Sequence, residues 1–200
     1  MTTDGNLTIE LDLAELREIT AFAVACAEPA LVLFERDFPE DPRPRAVLGE
    51  ARLFAAGGKR TKALRVTALD AHRAARTARE EGREAAFEAA RAAGHAGASA
   101  YLHPLAKATQ VPHILGAAAD AARAFELDAD GDPAVGARYL EQARELAGPV
   151  VVDVLTRYPD APGGGGRAGE LLRTLDVSLR RQAHSREDSA FRSKRVRASR

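Results

Sequence analysis

Apolar residues recur along this chain at steps of three and four, the spacing of one face of an α-helix. Leu13, Leu16, Ile19, Ala23, Cys26 and Ala27 predict a first helix, capped by Asp12 or Thr8. Pro29 falls inside that pattern and predicts a kink, with Leu31, Leu33 and Phe34 still inward and Pro39 ending the run. A second helix over 45–56 turns Val47, Leu48, Ala51 and Phe54 inward, and Gly57-Gly58 stops it. A third, over 59–83, carries Leu64, Ala68, Leu69, His72 and Ala75 on one stripe. Helices follow over 84–102, 112–127 and 133–146, the last opened by Asp132 and Pro133. Pro104 and Pro112 break the path between His103 and His113. VVVDVLTR reads as a short helix, since no second strand is present to pair with it, and YPDAPGGGG as a loop. Glu170, Leu171, Leu172, Leu175 and Leu179 mark a last amphipathic helix.

The stretch 91–125 is built of Ala and Gly with single polar insertions and holds His95, His103 and His113. Gly94, Gly97, Ala98 and Ala100 leave little bulk between helix axes, which predicts a central spine with the other helices packed closely around it. Roughly one residue in five is Ala, the best helix former, and β-branched runs are scarce. The fold class expected is all-α: a single-domain bundle of six to eight helices, with Ala-rich central helices kinked at prolines. Residues 1–11 read as a disordered N-terminus, 12–182 as the helical domain, and 183–200 as a basic disordered tail.

Net charge is zero, so no global field draws the protein to nucleic acid or an anionic membrane. The charge is uneven, however: eight Arg or Lys stand against two acids from Arg180 onward. The lone Cys26 excludes an internal disulfide and fits a reducing cytoplasm; on the apolar face it is a small buried hydrophobe. No secretory signal is visible, and no apolar run approaches the ~18 residues that span a bilayer.

Motifs for catalysis are mostly absent. The glycines at 163–166 precede Arg-Ala rather than the Lys-Ser/Thr of a phosphate loop, and neither a His-Glu-x-x-His zinc motif nor a Gly-x-Ser-x-Gly elbow occurs. DADGDP, at 128–133, lacks the full twelve-residue calcium pattern. No cofactor is expected. The histidines remain. On a continuous helix His95 and His103 would stand about 80° and ~12 Å apart, too far to share a metal. His72 comes from another helix and could meet either, with Asp70, Asp120 or Glu88 completing a site. These rings are either core residues or the lining of a pocket of a histidine-dependent metal-binding protein or enzyme. At the stiff corner DPRPR, Arg43 and Arg45 either meet an acidic partner or pin the loop through internal ion pairs to Asp41, Glu40 or Asp37. The tail's arginines either contact phosphates or solubilise an unfolded end.

The order Phe34-Glu35, then Asp41-Pro-Arg-Pro-Arg45, Ala71-His72, Ala92-Ala-Gly-His95 and His113-Ile-Leu-Gly116-Ala-Ala resembles the helical immunity-protein-five-like domain of bacteria. The resemblance covers about 13–127, more loosely to 180. It implies a cytoplasmic all-helical protein that binds and neutralises a toxin by occlusion, with a protein partner rather than a membrane or nucleic acid. Asp41, Arg43, Arg45, His72, His95, His103 and His113 are the candidate partner- or ligand-binding residues. Some relatives carry the label of a DNA-repair exonuclease subunit, but this chain has neither an ATP-binding loop nor a long heptad pattern.

Overall fold

Two Ala-rich helices, α5 (Glu84–Ser99) and α6 (Val111–Asp128), lie side by side at the centre. The structure is a computed structural model describing the backbone of residues 7–198 and the side chains of residues 7–185. Around this pair run α1 (Leu13–Ala27), α2 (Leu31–Asp37), α3 (Arg43–Ala55), α4 (Lys62–Glu80), α7 (Pro133–Leu146), α8 (Pro149–Thr156) and α9 (Gly166–Ala198). A 3-10 turn, Glu28–Ala30, joins α1 to α2 with helical backbone angles throughout. The two therefore form one rod bent at Pro29, and the described residues make eight rods of an all-α fold. No described helix is long and apolar enough to cross a membrane.

Small residues explain the close packing. A Cβ built on Gly97 would lie 2.3 Å from Val47 Cγ2 and 3.0 Å from Ala68 Cβ, so only a glycine lets α3 and α4 approach α5 there. The stripe that α4 buries is Leu64, Ala68, Ala71, Ala74, Ala75 and Ala78. Leu69, expected on it, is instead 53% exposed, one helical step round from Ala68. Larger side chains, including Ile19, Phe34, Leu48, Phe54 and Leu155, are fully buried in the same core.

Local chemistry sets the boundaries. Asp12 caps α1 in a reciprocal box: its carboxylate accepts from Glu15 N, and Glu15 accepts from Asp12 N. Asp132 caps α7, accepting from Ala134 N, with Pro133 in the first turn. The spine breaks after Ser99 and resumes at Val111, with Pro112 in the first turn of α6. Across this break the incoming chain forms a short bridge. Thr8 pairs with Leu105, Ile9 N donates to Pro104 O and Ala106 N to Leu7 O. Residues 7–11 are thus held, where disorder was expected; residues 1–6 lie outside the described residues. The backbone of α9 is helical to Ala198, past the point at 183 where a disordered tail was expected. The side chains of the basic tail lie outside those described.

Candidate functional site

The polar interior forms where α5 and α6 run antiparallel. Arg91 and His95 of α5 both reach Asp120 of α6: Arg91 Nη2 lies 3.3 Å from Oδ1, and His95 Nε2 lies 3.4 Å from Oδ2. Arg91 also donates to Glu88 Oε2 at 2.9 Å. From α4, His72 meets His95 edge-on, ring centroids 5.5 Å apart. Two glycines make room. A Cβ on Gly94 would lie 2.6 Å from His72 Cε1, and one on Gly116 would lie 3.0 Å from His95 Cγ.

One guanidinium therefore serves two buried carboxylates. Burial pushes the Asp120 carboxyl well above the usual range; Arg91 opposes this and Glu88 adds to it. Burial raises Glu88 as well, again against Arg91. The imidazoles move the other way. Burial, reinforced by His72, Arg91 and His113, pushes His95 down to about 3. His72 is lowered by burial, then by Arg91 and Arg76, and His113 by burial. At neutral pH these rings carry no proton charge. Nδ1 of His95, Nδ1 of His113 and Oδ2 of Asp120 are buried without a hydrogen-bond partner.

Of the four histidines singled out by sequence, His72 and His95 come together, with His113 close enough to be felt electrostatically. His103 does not join them. It is exposed in the break after α5, where its backbone N donates to Gln110 Oε1 and its carbonyl accepts from Tyr158 Oη. Of the acids considered beside the rings, Asp120 reaches His95, whereas Asp70 pairs with Arg73. No three His, Cys, Asp or Glu side chains converge to hold a metal ion among the described residues.

The DPRPR corner is built from ion pairs. Arg43 forks onto Asp41, with Nε at 2.9 Å from Oδ1 and Nη2 at 2.6 Å from Oδ2, and its backbone N also donates to Oδ1. This guanidinium holds the Asp41 carboxyl below the usual range, against the effect of partial burial. Arg45 does not pair with Asp41, Glu40 or Asp37. It forks onto Glu35 of α2, both contacts at 2.5 Å. The geometry follows from α3 starting at Arg43, which turns Arg45 back towards the preceding helix.

A further buried carboxylate, Glu126, was not singled out by sequence. Glu126 is fully buried, with Oε1 2.6 Å from Arg167 Nη2 and Oε2 3.0 Å from Arg123 Nη1. Burial opposes its charge, but the Arg167 and Arg123 bonds prevail and its carboxyl is lowered. Gly136 of α7 makes the space, since a Cβ there would lie 2.3 Å from Oε1. The available signal was the sequence of α6: a helix apolar nearly all round is buried, and Asp120 and Glu126 are buried with it, while Asp128 at its end is exposed.

Fold and site together define an all-helical protein that buries a few carboxylates, Glu88, Asp120 and Glu126 among them, inside a packed bundle. Its family is recognisable: the chain belongs to the Imm-5 like putative immunity protein family, whose model matches residues 10–148. No curated protein and no solved structure matches it.

Proposed function

We propose that this protein is a cytoplasmic immunity protein that neutralises a bacterial toxin by binding it directly. Membership of the immunity-protein family over residues 10–148 carries this reading. The geometry supports binding at the DPRPR corner. Arg43 and Arg45 are held in fixed directions by Asp41 and Glu35, yet their side chains remain 34% and 64% exposed. Preordered guanidiniums lose little freedom when an acidic partner docks, and such a corner favours specific and fast association. Asp41 acts as the positioning acid of this corner. Exposed His103 and half-buried His72 and His113 offer further polar contacts, while His95 supports them from within.

The test is co-purification from the native cytoplasm with the intact chain and with Arg43→Ala/Arg45→Ala, followed by toxicity assays of what is retained. The expected result is one stoichiometric protein, toxic alone and harmless when co-expressed, retained by the wild type and lost from a still-folded double variant. Retention of no protein, or of a harmless one, overturns the reading. Unchanged retention by the variant moves the contact away from this corner.

A further inference from the structure

A cavity of about 200 Å³ lies where α5, α6 and the start of α9 meet. Arg91, His95 and Asp120 form its polar side; Ala168, Leu172 and the glycine loop 163–165 are among the residues of its other walls.

Three observations select an occupant. First, the loop wall is held by side chains of α9: Arg173 Nη1 donates to Pro162 O at 3.1 Å and to Gly164 O at 2.7 Å, and Ala161 N donates to Asp176 Oδ2 at 2.9 Å. A preformed wall is typical of small-molecule sites. Second, Asp120 is 2% exposed and its Oδ2 makes no hydrogen bond, the contact from His95 Nε2 being long at 3.4 Å, whereas buried carboxylate oxygens are usually bonded. Third, Glu88 and Asp120 share the single guanidinium of Arg91, and the neighbouring imidazoles are neutral. Burial raises both carboxyls, so the second negative charge is balanced either by a proton or by a bound cation.

We propose that this cavity binds a small monocation with N–H donors, an alkylammonium or alkylguanidinium group of a few heavy atoms, with Asp120 as its counter-ion. The N–H groups donate to the Asp120 carboxylate, and Ala168 and Leu172 cover the alkyl part. The neutral His95 ring adds no repulsion. The site is separate from the corner assigned to toxin binding, and its failure leaves that reading untouched. The cation competes with a proton for Asp120. The charged or titratable groups around that carboxylate are Glu88, Arg91 and His95 of α5, with His72 behind His95 on α4. Acidification protonates the raised Asp120 carboxyl while the His95 ring stays neutral, so affinity falls as pH is lowered.

Isothermal titration of the full chain with ethylguanidinium and propylammonium chlorides tests this, with sodium propionate and propanol as controls at matched ionic strength. The expected result is saturable one-to-one binding of the two cations, weaker at pH 5 than at pH 7.5, with both controls at least about tenfold weaker. Asp120→Asn should weaken the cations by about tenfold or more. Because that variant alters a buried acid, Ala168→Phe provides a second route: it fills the cavity, leaves Asp120 intact, and should abolish binding. Absence of saturable binding, which would mean a cavity holding only water, overturns the proposal. So does equal binding of propionate or propanol, or cation binding that survives the filled cavity.

Discussion

Gly94 and His72 occupy one space between α4 and α5: a methyl group on the glycine would sit 2.6 Å from Cε1 of the ring. Gly94→Ala should therefore destabilise the protein by about 1–3 kcal/mol through overpacking. In a His72→Ala background the sign should reverse, because Ala exceeds Gly in helix propensity by about 1 kcal/mol. Urea unfolding of the four proteins in this cycle checks both signs. A penalty that persists without the ring would place the conflict elsewhere.

Glu126 should behave as the keystone of a buried ion triad. Replacing it by Gln leaves two partly exposed guanidiniums facing a neutral amide, with an expected loss of about 1–3 kcal/mol in chemical denaturation. Its folded-state carboxyl is lowered, so its contribution is present above the unfolded carboxylate range and is lost as pH falls through the lower folded value. Arg45→Ala should cost under about 1 kcal/mol, because that pair is largely solvated.

His95 gives the fold a pH dependence of definite sign. The unfolded ring takes a proton near pH 6.5, whereas the folded ring resists it down to about 3. Stability contributed by the neutral ring is complete above the unfolded value and is lost as pH falls towards the folded one. The raised carboxyls of Asp120 and Glu88 act oppositely, favouring the fold at low pH and losing that advantage as pH rises. Comparison with His95→Gln separates the two effects. Relative to that variant, the wild type should lose up to about 1.4 kcal/mol per pH unit between pH 6 and 4. A pH-independent difference would show that the ring is not titrating on unfolding.

Cys26 is fully buried, and burial pushes its thiol up to about 12. A thiolate is the reactive species, so a disulfide reagent should label the native protein only as fast as it opens. Labelling at the rate of an unfolded control at pH 8 would contradict this placement.

The sequence made the helices legible because their ends carry local chemistry. Asp12, Asp132 and Pro133 act within a turn of themselves, and each does so where expected. The closeness of the spine was legible too, since Gly94 and Gly97 can be read as missing bulk. Long-range pairing was not. Arg45 lies ten residues from Glu35 and Arg167 lies 41 from Glu126, and nothing local chooses those acids over nearer ones. His103 and His95 look alike on a line of letters, yet the helix ends at Ser99 and one ring goes to water while the other goes inside. Leu69 shows the same limit in an Ala-rich stripe: with so many small residues, a shift of one position moves a leucine from the core to the surface.

The helices after residue 148 complete the interior of the segment that precedes them. Arg167 reaches back to Glu126, Arg157 to Glu15 and the carbonyl of Glu10, and Leu155, Leu175 and Leu179 are fully or almost fully buried. The stretch shared with the family is therefore not a transplantable module. A chimera that exchanged residues 10–148 alone would bring a donor's acids to a host's arginines. Compatible partners on both sides of that seam would have to travel together.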